Sequence, residues 1–296
     1  MLEFKSILCP IDFSEFSVRA YRYALLLAEH YRAKLVAQHV VDLWRHPSAS
    51  YVVAVRLYEE FSLVLRERGE KQLQEFVKNH AHGEIQPELV VDQGMAPDSI
   101  LSFAQAQKTD LIVMGTHGRR GFDRLMLGSV TDRVMRRVPC PVLAVSKPLD
   151  DSMLTAKERD HVQQLSRILF CADFSENSER ALNYAVSVTT EFDAELTLLH
   201  VLEEVPSPAN TEEAIAAATE RLDKLIPREG RTNLKIDTAV RIGKPYQQII
   251  QLAQEGQIDM VTMGVHGYGA LDPAVFGSTT YRVMQLGPCP VLAAHV

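Results

Sequence analysis

The chain repeats itself, and this internal repeat limits the possible folds more than any other feature. Residues 7–14 (ILCPIDFS) reappear 161 positions later as residues 168–175 (ILFCADFS). Residues 110–118 (DLIVMGTHG) reappear 149 positions later as residues 259–267 (DMVTMGVHG). Self-similarity on this scale indicates two domains of one fold.

The spacing of the repeats sets the predicted domain boundaries. The shift falls from 161 to 149 between Val41 and Gly94, so the first copy carries about a dozen extra residues there, around residues 44–66. We expect this insertion to fall in a variable connection. The sequence predicts a first domain over residues 1–148 and a second domain over residues 166–296. Between them, residues 149–165 are predicted to form a solvated linker, with a short helix over 155–165.

Within each copy, short apolar runs alternate with segments of helical periodicity. In the first copy the predicted strands cover residues 4–11, 34–41, 85–91, 111–114 and 142–145, and Ser14 is predicted to cap the first helix. Three further helices are predicted over residues 55–79, 97–107 and 129–137. This alternation predicts an α/β fold, with a doubly wound, five-stranded parallel sheet in each domain. The ligand crevice is then expected at the carboxyl ends of strands one and four, where strand order reverses.

Composition excludes several function classes. The net charge of −7 argues against an extended electrostatic contact with nucleic acid, and no apolar run approaches the roughly 20 residues that cross a bilayer. The N-terminus reads as a first strand rather than a signal peptide. The four cysteines form no Cys-x-x-Cys pair and fall in or beside predicted strands, which favours small buried hydrophobic residues over disulfide or metal roles. A reducing, cytoplasmic location fits this pattern.

A glycine signature follows the predicted fourth strand of each copy. Two glycines three positions apart are followed, after nine residues, by Gly-Ser: the positions are Gly115, Gly118, Gly128 and Ser129, and Gly264, Gly267, Gly277 and Ser278. Such glycines let backbone N–H groups approach a ligand, and the Gly-Ser pair opens a helix whose first N–H groups bind anions. The spacing differs from a Walker P-loop and from a Gly-x-Gly-x-x-Gly fingerprint. Turn and cap roles are the alternative, and the repeated nine-residue gap favours a phosphate site.

These signatures, the repeated Pro-Cys-Pro-Val-Leu endings, and Asp12 and Asp173 after each first strand resemble a tandem universal stress protein. The resemblance covers nearly the whole chain except the linker and the insertion. It implies a Rossmann-like fold similar to adenine nucleotide alpha hydrolases, with ATP, ADP or AMP in each domain, with or without Mg²⁺.

The resemblance also implies roles for individual residues. The two aspartates would meet the adenine, and Val40 and Val201 would line the base pocket. The ribose would lie near Met114, Gly115, Met263 and Gly264. The phosphates would be held by Gly118, Gly128, Ser129 and Val130, and by Gly267, Gly277, Ser278 and Thr279. Asp12 is equally suited to support the turn before Ser14, and the two roles are compatible.

The two copies differ in the loop between their glycines. The first has Arg119 and Arg120 there, where the second has Tyr268 and Gly269. Arginines beside a phosphate add charge-assisted hydrogen bonds, although a solvated basic loop is the alternative. We hypothesise that the first domain holds a triphosphate more tightly.

Hydrolysis needs a positioned base and usually a metal held by carboxylates. Near the glycine loops only the pair Asp123 and Asp272 recurs, because Tyr281 takes the place of Asp132. The sequence therefore favours a nucleotide-binding stress or signalling protein over an enzyme. A slow ATPase, and a small-molecule or lipid carrier that uses the same crevice, are the rival functions.

Each copy ends in an apolar strand, residues 142–145 and 291–294, at an expected sheet edge that needs covering. The family resemblance implies pairing through this strand. The two copies are therefore expected to form an intramolecular pseudo-dimer, and a homodimer of chains is a further expectation.

Overall fold

The computed structural model describes residues 2–42, 54–81, 83–118, 126–146, 164–204, 210–226, 234–265 and 277–294. Within these residues the chain forms ten strands and eight helices that alternate along the sequence. In this part of the chain, no helix is both long enough and apolar enough to cross a membrane.

The first repeat alternates strand and helix from its first element to its last. Its elements are β1 (Ser6–Pro10), α1 (Glu15–Tyr31), β2 (Lys34–Val41), α2 (Ala54–His80), β3 (Glu88–Gln93), α3 (Ala96–Ala106), β4 (Leu111–Gly115), α4 (Ser129–Met135) and β5 (Val142–Val145). The sequence explains the bounds of α1. Ser14 accepts a hydrogen bond from the backbone N–H of Ser17 at the N-cap, and Arg32 ends the helix in the left-handed conformation.

The second repeat has the same element order. Its elements are β6 (Arg167–Cys171), α5 (Glu176–Glu191), β7 (Glu195–Leu202), α6 (Thr211–Leu225), β8 (Lys235–Ile242), α7 (Pro245–Glu255), β9 (Met260–Gly264), α8 (Ser278–Leu286) and β10 (Val291–Ala294). Ser175 caps α5 as Ser14 caps α1, by accepting from the backbone N–H of Ser178.

Each repeat contributes five parallel strands, in the orders β3-β2-β1-β4-β5 and β8-β7-β6-β9-β10. The predicted fold class, two doubly wound five-stranded parallel-sheet domains, is confirmed. Helices α1 and α2 contribute to one buried hydrophobic cluster and α3 and α4 to another, so both faces of the sheet are covered. Strands β1 and β4 are neighbours, which puts the reversal of strand order between them.

The two five-stranded sheets join edge to edge. β5 and β10 pair antiparallel, with Leu143 opposite Leu292, so the strands form one ten-stranded sheet. Helices α1 and α5 also meet across this boundary, where Tyr31 Oη lies 3.1 Å from Ser187 Oγ and the rings of Phe4 and Tyr184 stack with their centroids 5.9 Å apart. One hydrophobic cluster therefore runs through both repeats.

All four cysteines are thiols. Cys140 and Cys289 occupy matched positions just before β5 and β10, and each is 7% exposed. Burial raises the pKa of each thiol to about 12, and the nearby carboxylates of Asp110 and Asp259 add to the shift.

The structure corrects two sequence predictions. The third strand begins at Glu88 rather than residue 85, because Pro87 has no N–H to donate to a neighbouring strand. The extra residues of the first copy lengthen a helix rather than a connection, since α2 has 27 residues and α6 has 15. The helix predicted over 155–165 lies largely outside the described residues, and Gln164 and Leu165 are not helical.

Candidate functional site

The strand order reverses between β1 and β4 in the first domain and between β6 and β9 in the second, so the carboxyl ends of these strands lie at matching switch points. The loop after β1 leads to α1 on one face of the sheet. The loop after β4 leads to α4 on the other face. A ligand can therefore enter between two loops that diverge from adjacent strands. The sequence predicts the ligand crevice at this reversal of strand order.

Asp12 organises the turn between β1 and α1. Its Oδ1 accepts hydrogen bonds from the backbone N–H and the hydroxyl of Ser14, at 3.0 and 2.6 Å. Asp173 does the same for Ser175 at the same two distances. Between each pair lies a phenylalanine with positive φ, 64° at Phe13 and 58° at Phe174, a conformation that non-glycine residues seldom adopt. The turn-supporting role of both aspartates is therefore built into the fold.

Two histidines that sequence reasoning missed hold the same turns from the neighbouring strand. His39 Nδ1 lies 2.7 Å from the carbonyl oxygen of Ile11, and His200 Nδ1 lies 2.7 Å from that of Ala172. The ring of each histidine also contacts the phenylalanine of the turn, with centroids 4.5 Å apart. The two histidines are 161 positions apart, so the repeat itself carried the signal that marks them.

Gly115 and Gly264 are glycines because a helix packs against them. A β-carbon at Gly115 would lie 2.7 Å from Cβ of Phe16, in the first turn of α1. At Gly264 it would lie 3.1 Å from the backbone carbon of Asn177, in the first turn of α5. From the sequence, Gly115 is expected to let a ligand approach the backbone. The structure gives a packing reason, the close approach of α1 and α5 to the sheet.

Gly118 and Gly128 lie together beside Asp12. A β-carbon at Gly118 would lie 2.5 Å from Asp12 Oδ2, and one at Gly128 would lie 3.7 Å from the backbone nitrogen of Gly118. The N–H of Gly128 donates to the carbonyl oxygen of Thr116 at 2.8 Å, and the N–H of Gly277 donates to that of Val265 at 3.0 Å. These two N–H groups are engaged within the protein, which leaves donation to an anion to the residues that follow them.

The residues that follow these glycines are at least partly accessible to solvent. Ser129 and Ser278 are exposed, and Val130 and Thr279 are partly buried, all in the first turns of α4 and α8. N–H groups in a first helical turn have no acceptor within the helix. Val40 and Val201 are partly buried at the ends of β2 and β7, whereas Met114 and Met263 are buried, 4% and 5% exposed.

Two buried threonines, also missed from the sequence, tie each glycine loop to its strand. Thr131 Oγ1 donates to the carbonyl oxygen of Gly115 at 2.8 Å, and Thr280 Oγ1 donates to that of Gly264 at 2.9 Å. Both threonines are 3% exposed. The first turn of each glycine-loop helix is thereby fixed to the end of the fourth strand of its domain. Their 149-residue separation was the available signal.

Some predicted residues lie outside the described residues. These are Arg119, Arg120 and Gly267, together with the acidic pair Asp123 and Asp272. Asp132, the other acidic candidate near a glycine loop, binds Arg136 one helical turn away, with oxygen–nitrogen distances of 3.0 and 3.1 Å. In the described part of the chain, no three histidine, cysteine or acidic side chains group as metal ligands would.

A separate groove of about 360 Å³ lies between α2 and the edge strand β3. Leucine and valine side chains share its lining with Arg66, Glu70, Gln74 and Asp92. This mixed, charged lining differs from the mostly apolar enclosure that a lipid would need.

Comparison with known proteins agrees with this architecture. A universal stress protein of Methanocaldococcus jannaschii is 35% identical over 145 residues, which are 49% of this chain and 84% of that protein. One from Synechocystis is 23% identical over an alignment of 307 positions that covers 97% of this chain and 99% of the relative. The crystal structure of a universal stress protein from Archaeoglobus fulgidus shares the fold, with a TM-score of 0.63 and 22% identity over 99% of this chain and 98% of its own.

The family model agrees with both repeats. The model of the universal stress protein family matches the chain twice, over residues 3–146 and over residues 165–295. Both matches include the first-strand aspartate and the Gly-Ser pair of their repeat. The chain therefore belongs to the universal stress protein family and carries two of its domains in tandem.

Proposed function

We propose that each domain binds an adenine nucleotide and that the chain acts as a nucleotide-responsive binding protein in stress response or signalling. One observation carries the proposal. In the first domain, Asp12, Gly118 and Gly128 lie side by side at the carboxyl ends of adjacent strands, although more than 100 residues separate Asp12 from the glycines. A carboxylate beside a glycine-rich loop offers an acceptor for a base amino group and a close backbone approach for phosphates.

Each part of the nucleotide has residues suited to it. The Asp12 carboxylate would accept from the adenine amino group, while Val40 lines the base and Met114 with Gly115 flanks the ribose. Gly118 and Gly128 would give close backbone approach to the phosphates, and the N–H groups of Ser129 and Val130 with the Ser129 hydroxyl would donate to them. In the second domain the corresponding set is Asp173, Val201, Met263, Gly264, Gly267, Gly277, Ser278 and Thr279.

ATP, ADP and AMP all suit this arrangement. Mg²⁺ would accompany ATP through the phosphates and water, as it commonly does where few carboxylates are at hand. The first domain would bind a triphosphate more tightly, because Arg119 and Arg120 stand in its glycine loop and the second domain has Tyr268 and Gly269 instead. Each well-placed arginine hydrogen bond would contribute roughly 1.5–3 kcal/mol.

Binding is proposed rather than rapid hydrolysis. Asp132, an acidic side chain beside the first glycine loop, is paired with Arg136, which makes it a poor base or water-positioning group. A slow ATPase is the rival function. Steady release of phosphate that disappears in an Asp12→Ala, Asp173→Ala double variant would establish it.

The two domains are proposed to act as one pseudo-dimer in a reducing, cytoplasmic setting. The antiparallel pairing of β5 with β10 supports this, because it covers the apolar edge of both sheets at once. A homodimer of chains would have to use another surface. Light scattering of the full chain measures its mass and decides between one chain and two.

The test of binding uses the full chain and native mass spectrometry with ATP, ADP, AMP and, for comparison, GTP. We expect two adenine nucleotides on the wild-type chain and one on each of the variants Asp12→Ala and Asp173→Ala. The double variant should bind none, because it lacks both base acceptors. Asp98→Ala, a change at an exposed carboxylate with 60% of its side chain accessible, is the matched control and should keep both sites.

Calorimetry on the two single variants tests the proposed inequality. The Asp173→Ala chain retains the first site, and the Asp12→Ala chain retains the second. Tighter ATP binding by the first of these supports the arginine contribution, and equal or reversed affinities contradict it. Two nucleotides bound to the double variant would contradict the proposed site altogether.

A further inference from the structure

A side chain of the second domain reaches the glycine loop of the first. The backbone N–H of Leu127 donates to the hydroxyl oxygen of Tyr281 at 3.2 Å. Leu127 directly precedes Gly128, the N-cap residue of α4, and it is 6% exposed. A buried N–H without an acceptor is costly, so this contact stabilises one conformation of the loop.

Tyr281 is equally tied to the glycine loop of its own domain. It lies in the first turn of α8, and its backbone N–H donates to the carbonyl oxygen of Gly277 at 2.9 Å. One residue thus contacts Gly277 through its backbone and Leu127 through its side chain. The tyrosine ring is partly buried against the hydrophobic cluster that α4 and α8 share, which limits the positions its hydroxyl can take.

The arrangement is not symmetric. The residue of the first domain that matches Tyr281 is Asp132, 149 positions earlier. Both carboxylate oxygens of Asp132 accept from Arg136 on the same helix. At this pair of positions, the contact therefore runs from the second domain to the first.

We propose that Tyr281 is a positioning residue that the second domain supplies to the phosphate loop of the first, and that it couples the two nucleotide sites. A phosphate bound by the first turn of α8 would fix the turn from which Tyr281 extends. The fixed hydroxyl would then hold Leu127 and Gly128 in the binding conformation. The coupling rests on the proposed nucleotide binding, whereas the positioning of Leu127 does not depend on it.

The first test therefore uses no nucleotide. Amide hydrogen exchange is measured on the full chain with Tyr281→Phe, which removes only the hydroxyl. The Leu127 amide should exchange at least fivefold faster than in the wild type. Tyr246→Phe is the matched control, because its hydroxyl is bound by the neighbouring Gln247 side chain and it should leave Leu127 unchanged. Equal exchange of Leu127 in wild type and Tyr281→Phe would overturn the proposed positioning role.

The second test measures nucleotide affinity of each site in the full chain. With the other site blocked by Asp173→Ala or Asp12→Ala, Tyr281→Phe should weaken ATP binding by the first domain about two- to tenfold, the range that one neutral hydrogen bond supports, and leave the second domain unchanged. Equal weakening of the two sites, each measured with the other blocked, would show general destabilisation and overturn the positioning of the first loop by Tyr281.

The coupling also predicts that the ATP affinity of one site depends on whether the other site is occupied. In the wild type, occupancy of the second site should tighten the first, and blocking the second site with Asp173→Ala should remove that gain. In Tyr281→Phe the two sites should bind independently, because linkage needs a structural connection. A wild-type chain that binds no adenine nucleotide would refute the proposed function and the coupling together, and the exchange data would still decide the positioning of Leu127.

Discussion

The first-strand turns of the two domains share their aspartate and histidine contacts, whereas the helices that follow the glycine loops differ at one pair of positions. In both turns the aspartate accepts from the serine N–H at 3.0 Å, and the histidine lies 2.7 Å from a turn carbonyl. After the glycine loops, Asp132 of one domain corresponds to Tyr281 of the other. One pairs with its own helix, and the other reaches across to the partner domain.

The contrast follows from where each region lies. The aspartate and histidine contacts of the turns lie within one domain, so each copy must solve the same local problem. The first turn of α8 contacts the residue before the N-cap of α4 across the boundary between domains, and both helices contribute to one hydrophobic cluster. In a symmetric homodimer one residue would have to serve both sides of such a boundary. Fusion into one chain removes that requirement, and the two positions can specialise.

Alkaline unfolding should give the largest effect. It tests whether Cys140 and Cys289, which match in position and burial on the two sides of the β5–β10 junction, also contribute equally to stability. The Cys140 and Cys289 thiols keep their protons up to a pKa of about 12 in the folded chain, against an ordinary value of 9.0. The folded state then binds more protons than the unfolded state between those values. The contribution of the two thiols to the free energy of unfolding is full below about pH 9. It should fall as pH rises further, by up to about 1.4 kcal/mol per pH unit for each thiol.

The comparison lies in the two alanine variants. Cys140→Ala and Cys289→Ala should each reduce the slope of unfolding free energy against pH by the same amount, as measured by urea denaturation from pH 8 to 10.5. A change confined to one variant would show that the two sides of the sheet junction are not equivalent.

Replacing a buried residue of one domain by its counterpart from the other should give the next largest change in stability. Gln38 is fully buried and donates to Asp92 Oδ2 at 2.6 Å, and its counterpart in the second domain is Leu199, 1% exposed. Arg241, the counterpart of Asp92, binds Glu255 instead. Leu199→Gln should destabilise the chain by roughly 2–4 kcal/mol, because the buried amide meets no comparable acceptor. Gln38→Leu should cost about 1 kcal/mol.

Chemical denaturation of both variants measures this difference. A Leu199→Gln chain as stable as Gln38→Leu would mean that the two strands tolerate polar groups equally. The two domains would then differ at these positions in sequence but not in their tolerance of a buried polar side chain.

The smallest expected difference concerns two glycines with the same role. Gly115→Ala places a carbon 2.7 Å from Phe16 Cβ, and Gly264→Ala places one 3.1 Å from the Asn177 backbone. The first should cost roughly 1–3 kcal/mol and the second about 1 kcal/mol less, since a smaller shift relieves it. Thermal midpoints rank the two.

Much of the fold was accessible from local sequence. The second strand over 34–41 and the fifth over 142–145 match the structure residue for residue, because continuous apolar runs with β-branched residues mark buried strands. The cap at Ser14 was equally clear. The third strand was placed three residues early, since the apolar pattern continues through Pro87 and only the missing N–H of the proline ends the pairing.

The site was accessible in outline only. Glycine spacing and the aspartates marked the crevice, but Thr131 and His39 act on carbonyl oxygens of distant backbone, 16 and 28 residues away. No side-chain pattern specifies such a partner, and only comparison of the two copies would have drawn attention to them. The contact between Leu127 and Tyr281 spans 154 residues and occurs once, so nothing in the sequence indicated it.

The junction of β5 with β10 has a consequence for synthesis. Val145 ends β5, and the pairing partner of that strand, β10, leaves the ribosome only after roughly 150 further residues. At about 5–20 residues per second this takes about 7–30 s, far longer than a small domain needs to collapse. During this time the apolar edge of β5 in the nascent first domain stays uncovered. Holding that edge until the second domain arrives is a task for the translation machinery and its chaperones, and a slow stretch of codons near the end of the message would prolong the exposure.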